Sequence, residues 1–161
     1  MRVELATAED TETLGRRLAA VLAPAEPRPA LLMEGPLGAG KTTLARALVA
    51  ALPGGGEARV SSPSFTVCNL YPTRPETAHL DLYRLEGQGM SGMLDEDLLD
   101  LILEGRVLVL VEWAEHLRGP DRPNDALVLR WLPAGRGRLV ELTATGPAAA
   151  SCLAAMGETE I

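Results

Sequence analysis

Lysine is nearly absent from this sequence. Of its 15 cationic side chains only Lys41 is a lysine, and the others are arginine. With 22 acidic residues, the formal net charge is −7 at pH 7. Proteins that grip RNA or DNA through phosphates need clustered cations. This charge balance argues against nucleic-acid binding by the chain alone, although it leaves room for a local arginine patch.

Cysteines, aromatic residues and long apolar runs are also scarce. Cys68 and Cys152 are far apart in the sequence and fit no metal-ligand spacing. The N-terminal residues 1–14 lack the apolar segment of a secretion signal, so we expect reduced thiols and a cytoplasmic protein. No apolar run approaches the roughly 20 residues of a membrane helix. Aromatic residues make up only 3% of the chain, which predicts a core of Leu, Val and Ala.

Length and patterning predict a single α/β domain over residues 1–161. The apolar runs 30–35 and 106–113 are typical of buried parallel strands. Alternating patterns predict two antiparallel hairpins. The predicted strands cover residues 2–6, 30–35, 60–70, 79–85, 106–113, 126–132 and 138–144. One predicted helix follows Thr7, and three others cover residues 42–52, 93–104 and 147–156.

Residues 35–42, GPLGAGKT, match the phosphate-binding pattern G-x-x-x-x-G-K-[ST]. Glycines let the backbone turn and aim its N–H groups at an anion, and the following helix directs its positive end to the same place. Lys41 supplies a compact ammonium that the longer, planar arginine fork does not replace. Thr42 supplies a hydroxyl for Mg²⁺. Because an apolar strand precedes the loop and a helix follows it, we expect a P-loop NTPase fold rather than an incidental lysine in a turn.

A phosphate loop needs a carboxylate at the tip of a neighbouring strand. Glu112 ends the run RVLVLVE, and Asp81 lies within HLDLYRL. Either carboxylate could instead face water. We expect His79 and His116 to be surface or hydrogen-bonded histidines rather than metal ligands.

Two common classes of phosphate-loop protein need further sequence elements. A small GTPase needs an Asn-Lys-x-Asp element, which is excluded because the only lysine lies in the phosphate loop. A small-molecule kinase needs a lid with arginines, and the sequence offers candidates without identifying an acceptor. These candidates are Arg118, Arg122, Arg136 and Arg138.

Four segments in their order resemble the bacterial TsaE family, the small ATPases required for threonylcarbamoyladenosine modification of tRNA. The segments are GPLGAGKTT (35–43), SSPSFTV (61–67), HLDLYRL (79–85) and LVEWAEHL (110–117). Ser64 stands where the family has threonine, and residues 86–98 depart from the family's more acidic run.

The resemblance implies ATP as the nucleotide and Mg²⁺ near Thr42 and Glu112. It implies that Asp81 assists the metal or the attacking water, and that Lys41 takes part in catalysis. It places Ser64 and Thr66 in a switch-like segment and residues 8–11 near the adenine. The implied nucleotide contacts are Gly38, Ala39, Gly40, Lys41, Thr42, Thr43 and Arg138.

The resemblance also implies partners, the TsaD transferase and TsaB, with tRNA held mainly by them. In that picture the chain is a slow ATPase whose cycle sets docking and resets the modifying complex. Two alternatives stay open: a small-molecule kinase, and a nucleotide-dependent binding module with little turnover.

Overall fold

The computed structural model describes residues 1–63, 67–85, 96, 105, 107–117, 119–133 and 137–158. These residues form an α/β fold around one seven-stranded sheet with the order β1-β7-β6-β2-β5-β4-β3. The strands are β1 Arg2–Leu5, β2 Ala30–Glu34, β3 Cys68–Tyr71, β4 Thr77–Asp81, β5 Leu108–Glu112, β6 Ala126–Leu132 and β7 Arg138–Ala144. The helices are α1 Ala8–Leu22, α2 Lys41–Ala51 and α3 Pro147–Glu158.

The centre of the sheet is parallel and its margins are antiparallel. Strand β2 pairs in parallel with β5 and β6, and β4 pairs in parallel with β5. Strand β7 pairs antiparallel with β1 and β6, and β3 pairs antiparallel with β4. The mixed sheet with a parallel centre confirms the predicted fold class.

Side chains alternate between two faces along each strand, and each face contributes to its own core. Leu31 and Met33 of β2 belong to the cluster that also contains the buried faces of α1, α2 and α3. Ala30 and Leu32 belong to the cluster on the opposite face. Strands β2 and β5 are buried along their whole length, as their continuous apolar runs predict.

Helix α1 begins with a capping box formed by Thr7 and Asp10. The backbone N–H of Asp10 donates to the Thr7 hydroxyl at 3.1 Å, and the N–H of Thr7 donates to the Asp10 carboxylate at 2.8 Å. Helix α1 then crosses α2 at Gly15, where a Cβ would lie 2.7 Å from the Leu44 carbonyl oxygen. A glycine is required at this crossing because any side chain would separate the two helices.

The predicted hairpins are both present, with different accuracy in their limits. The β6–β7 hairpin has the predicted bounds. In the β3–β4 hairpin, the prediction that 60–70 and 79–85 are strands is wrong at both outer ends. Strand β3 begins only at Cys68. Strand β4 ends at Asp81, whose carboxylate accepts a hydrogen bond from the Tyr83 N–H at 2.9 Å. Residues Tyr83–Leu85 form a 3-10 helix instead.

The helix predicted over 93–104 lies outside the described residues, except for Glu96. The other predicted helices are present, with ends shifted by a residue or two.

Candidate nucleotide-binding site

The glycine-rich loop joins the carboxyl end of β2 to the first turn of α2. Gly40 caps α2 with a φ of 110°, a left-handed conformation that strains any other residue. A Cβ at this position would approach Thr11 at 3.6 Å and the Arg138 side chain at 4.0 Å. The loop therefore delivers the free N–H groups of the α2 N-terminus to the carboxyl edge of the sheet.

The loop borders a cavity of about 410 Å³. Residues 38–43, Asp81 and Glu112, all nominated from the sequence, line this cavity. The lining residues are Leu37, Gly38, Ala39, Gly40, Lys41, Thr42, Thr43, Ser62, Asp81, Tyr83, Glu112, Trp113 and Arg138.

Lys41 is 4% exposed and its ammonium lies inside the loop. Nζ donates to the carbonyl oxygens of Gly35 at 2.6 Å and Pro36 at 2.9 Å. It also lies 3.8 Å from the centre of the Trp113 ring, a cation–π distance.

Burial lowers the pKa of the Lys41 ammonium below its usual value. Three carboxylates oppose this effect, in decreasing order those of Glu115, Glu112 and Asp81. The lysine thus lies where the loop and the acidic residues of the site meet.

Glu112 ends β5 and is 2% exposed. Its Oε2 accepts a hydrogen bond from the Thr42 hydroxyl at 2.8 Å, and its Oε1 lies 2.9 Å from His79 Nε2. The first turn of α2 is therefore tied directly to the tip of the neighbouring strand. Glu112 does not face water.

Asp81 ends β4 and is aligned with Glu112 in the parallel β4–β5 register. It is 5% exposed and accepts hydrogen bonds from the Ser62 hydroxyl and the Tyr83 N–H. The two carboxylates nominated from the sequence lie side by side at the carboxyl edge of the sheet.

The remaining nominated residues divide into three groups. Arg138 lines the cavity, and Thr11 of the 8–11 segment packs beside Gly40. Arg122 binds Glu34 at 2.6 Å and the Ala114 carbonyl at 3.0 Å. Ser64, Thr66, Arg118 and Arg136 lie outside the described residues.

Several neighbours of the loop were not among the site residues expected from the sequence. Trp113 follows Glu112 and lines the cavity, with its ring centroid 4.9 Å from that of Tyr83. Ser62 and Tyr83 were not nominated, although both lie in segments that the resemblance quotes. Glu115 accepts a hydrogen bond from the Gly35 N–H at 3.3 Å, and it lies in the segment 110–117 that the resemblance quotes.

The oxygen donors of the site are of the kind that Mg²⁺ prefers. Within the described part of the chain, no cluster of three or more His, Cys, Asp or Glu side chains could hold a metal ion by itself. Mg²⁺ is usually held by one or two carboxylates together with substrate phosphates. The Thr42 hydroxyl and the buried Glu112 and Asp81 carboxylates fit that donor set.

None of the described helices has the length and apolar character needed to cross a membrane.

Comparisons with known proteins agree with the four sequence segments. The family model for threonylcarbamoyl adenosine biosynthesis protein TsaE matches residues 5–138. The tRNA threonylcarbamoyladenosine biosynthesis protein TsaE of Streptomyces coelicolor is 43% identical over 120 residues, which are 73% of this chain and 75% of the relative. The protein of that name from Bacillus subtilis is 36% identical over 141 residues, covering 86% and 82% of the two chains.

A third relative and a solved structure extend the comparison. The TsaE protein of Mycobacterium tuberculosis is 41% identical over 116 residues, which are 68% of this chain and 66% of the relative, just under two thirds of its length. The crystal structure of Bacillus subtilis YdiB superposes with a TM-score of 0.74 at 27% identity, covering 98% of this chain and 94% of that one. With its P-loop fold and these matches, the chain belongs to the TsaE family of threonylcarbamoyl adenosine biosynthesis proteins.

Proposed function

We propose that this chain is a Mg²⁺-dependent ATPase that assists threonylcarbamoyladenosine modification of tRNA by binding and resetting a TsaD–TsaB complex. The observation that carries the proposal is the Thr42–Glu112 hydrogen bond of 2.8 Å. It joins the residue type that contacts Mg²⁺ in phosphate loops to a buried strand-tip carboxylate. Family membership supports the pathway, and the acidic net charge of −7 suits a chain whose tRNA is held by partners.

Each nominated residue has a task in this proposal. The loop from Gly38 to Thr43 would cradle the phosphates with its N–H groups, and Lys41 would exchange its carbonyl contacts for phosphate oxygens. Thr42 and Glu112 would hold Mg²⁺, which when bound neutralises charge that develops on the phosphates. Asp81, fixed by Ser62 and the Tyr83 N–H, would orient the attacking water.

Such a site accelerates hydrolysis by positioning and electrostatics, without a covalent nucleophile. Arg138 is the one arginine among the residues that line the described cavity. An arginine supplied by a partner raises turnover by about 10³–10⁵-fold in related phosphoryl-transfer sites. We therefore expect slow hydrolysis by the isolated chain and faster hydrolysis in the complex.

The test is release of labelled phosphate from ATP with Mg²⁺, measured with the chain alone and with added TsaD–TsaB. Release without any acceptor, rising on addition of the complex, is the expected result. Transfer of the label to a metabolite would replace the proposal with a small-molecule kinase. Tight ATP binding with no release, even with the complex, would replace it with a nucleotide-dependent binding module.

The assignment of the metal carboxylate has its own test. Glu112→Gln should keep measurable nucleotide binding and lose metal-dependent hydrolysis, because the amide is a weaker ligand for Mg²⁺. Asp81→Asn serves as the companion variant. If Glu112→Gln hydrolyses ATP normally and Asp81→Asn does not, Asp81 rather than Glu112 is the metal-binding carboxylate.

A further inference from the structure

A histidine that the proposed mechanism does not use lies fully buried beside the site. His79 is in the middle of β4 with 0% exposure, and its register partner on β5 is Leu110. Its ring centroid lies 6.2 Å from that of Tyr71. Placing a polar ring among apolar strands costs free energy unless its nitrogens are hydrogen-bonded. The contact that offsets this cost therefore indicates what the ring does.

That contact is the nominated metal carboxylate. His79 Nε2 lies 2.9 Å from Glu112 Oε1, and the two side chains are 0% and 3% exposed. The other carboxylate oxygen, Oε2, accepts the Thr42 hydroxyl at 2.8 Å. Both oxygens of Glu112 are thus occupied, one by a side chain from β4 and the other by a side chain from α2.

The surroundings of the ring determine which nitrogen carries the proton. His79 Nδ1 is buried and has no hydrogen-bond partner among the described residues. A proton there would be a buried donor without an acceptor, which is unfavourable. The ionised Glu112 carboxylate can only accept hydrogen bonds. The proton therefore belongs on Nε2, which donates to Glu112 Oε1.

We propose that His79 is a positioning residue: its Nε2–H fixes the rotamer of Glu112, so that Oε2 stays directed at Thr42 and the phosphate loop. Its consequence for catalysis rests on the proposed function, in which Glu112 holds Mg²⁺. Hydrogen bonds that orient a metal ligand in this way change metal affinity or activity by about 10–100-fold.

A spectroscopic test of the bond needs no nucleotide and no turnover. The chain contains only two histidines, so the imidazole signals of ¹⁵N-histidine-labelled protein can be assigned with His79→Gln and His116→Gln. We expect His79 Nε2 to carry a proton, and its Nε2–H signal to shift in Glu112→Gln while the His116 signals stay in place. An Nδ1–H tautomer, or a His79 signal indifferent to Glu112→Gln, overturns the proposal.

The functional test compares a variant that keeps the donor with one that removes it. His79→Gln retains an N–H donor near the position of Nε2, whereas His79→Leu retains only the volume. We expect His79→Leu to raise the Mg²⁺ concentration for half-maximal turnover about 10–100-fold. The Mg²⁺ concentration for half-maximal ADP binding, measured by calorimetric titration, should rise by the same factor. His79→Gln should keep most of the wild-type Mg²⁺ affinity, and nucleotide binding without Mg²⁺ should not change in either variant.

A control on the same strand separates positioning from packing. Thr77 is 0% exposed on β4, and its hydroxyl bonds Thr73 rather than Glu112. Thr77→Val should leave the Mg²⁺ dependence as in the wild type. A wild-type response in His79→Leu, or equal losses in His79→Leu and His79→Gln, overturns the proposal. If the wild-type chain hydrolyses no ATP, the proposed function fails, and the spectroscopic test still decides whether His79 orients Glu112.

Discussion

Lys41 has the environment of a side chain held ready for an anion. Its ammonium is almost wholly buried, bonded to two loop carbonyls and placed over the Trp113 ring. Neutral carbonyls and an aromatic face are weaker partners for a cation than phosphate oxygens are. We therefore expect phosphates that enter the loop to replace these contacts at a gain in free energy.

Replacing Lys41 should weaken nucleotide binding and keep the fold. Loss of hydrogen bonds to a charged group costs about 1.5–3 kcal/mol, so Lys41→Ala should weaken ATP binding about 10–150-fold in calorimetry. Lys41→Arg should not restore it, because the longer planar fork does not fit the buried loop. The matched control is Arg46→Ala, which removes a cation from the same helix outside the cavity. Unchanged turnover in Lys41→Ala would falsify the phosphate-loop assignment.

The residues of the site were predictable from the sequence to different degrees. The phosphate loop and the strand-tip acids Asp81 and Glu112 follow from local patterns, and the structure brings them together at one cavity. His79 was expected to be a surface or hydrogen-bonded histidine, and it is hydrogen-bonded. Its partner lies 33 residues away on another strand, and only the β4–β5 register determines that pairing.

At the level of elements, the end of β2 is tied to its surroundings by Glu34. This carboxylate precedes the phosphate loop and is 7% exposed. It accepts hydrogen bonds from Arg122 at 2.6 Å and from Arg130 of β6 at 2.8 Å. Burial raises the pKa of Glu34, but the two guanidinium groups outweigh burial and hold the pKa below its usual value.

The Glu34 ion pairs should stabilise the fold at neutral pH and not in acid. Since the folded pKa is below the unfolded one, the contribution is complete above the ordinary Glu pKa of about 4.3 and is lost as the pH falls through the lowered folded value. Glu34→Gln should lower the free energy of unfolding by about 1–3 kcal/mol at pH 7. This is less than the cost of breaking a fully buried ion pair, because water screens the partly exposed arginines.

Urea denaturation of the wild type and of Glu34→Gln from pH 7 to pH 3 measures the difference between their free energies of unfolding. This difference should shrink below about pH 4–5, where the Glu carboxyl of the unfolded chain becomes protonated. Glu141→Gln is the control, because its carboxylate pairs with the exposed Arg2. A surface pair of this kind is worth about 0–1 kcal/mol. A difference between Glu34→Gln and wild type that stays constant with pH would contradict the role of these ion pairs.

The crossing of α1 and α2 has a separate test at Gly15. A Cβ there would meet the Leu44 carbonyl at 2.7 Å and the Ala47 Cβ at 2.9 Å. Overpacking costs about 1–3 kcal/mol, against about 1 kcal/mol gained from the higher helix propensity of alanine. Gly15→Ala should therefore destabilise the protein in thermal unfolding.

The matched substitution is Gly157→Ala in α3, where a Cβ would meet nothing within 4 Å. This variant should be neutral or slightly stabilised, since alanine favours the helix and nothing opposes it. Equal unfolding midpoints for the two variants would mean that the helices separate at little cost.

At the scale of the whole molecule, the parallel centre of the sheet brings the functional elements together. Strands β6, β2, β5 and β4 are neighbours, and their carboxyl ends lie along one edge. The loop after β2 and the acids that end β5 and β4 meet at this edge. Ligands of open α/β sheets bind at the same edge.

A ligand that joins these elements should stabilise the whole fold. At 100 times its dissociation constant, Mg²⁺–ATP should add about 2.7 kcal/mol to the free energy of unfolding. For a chain of this length, that corresponds to a rise in the unfolding midpoint of roughly 5–10 °C. Differential scanning fluorimetry with a non-hydrolysable ATP analogue measures the shift. GTP should give less, and no shift with millimolar Mg²⁺–nucleotide would contradict the site.

The sequence by itself determined the features that depend on neighbouring residues. Apolar runs made β2 and β5 buried strands, the 3.6-residue period and the Thr7 cap made α1 a helix, and the glycines of the loop allowed its turn. These features need only local sterics and hydrogen bonds. The tertiary structure decided which distant groups meet: His79 with Glu112, Glu34 with Arg122 and Arg130, and Gly15 with α2. Such pairings are decided by strand order, register and packing, because they depend on contacts between residues far apart in the chain.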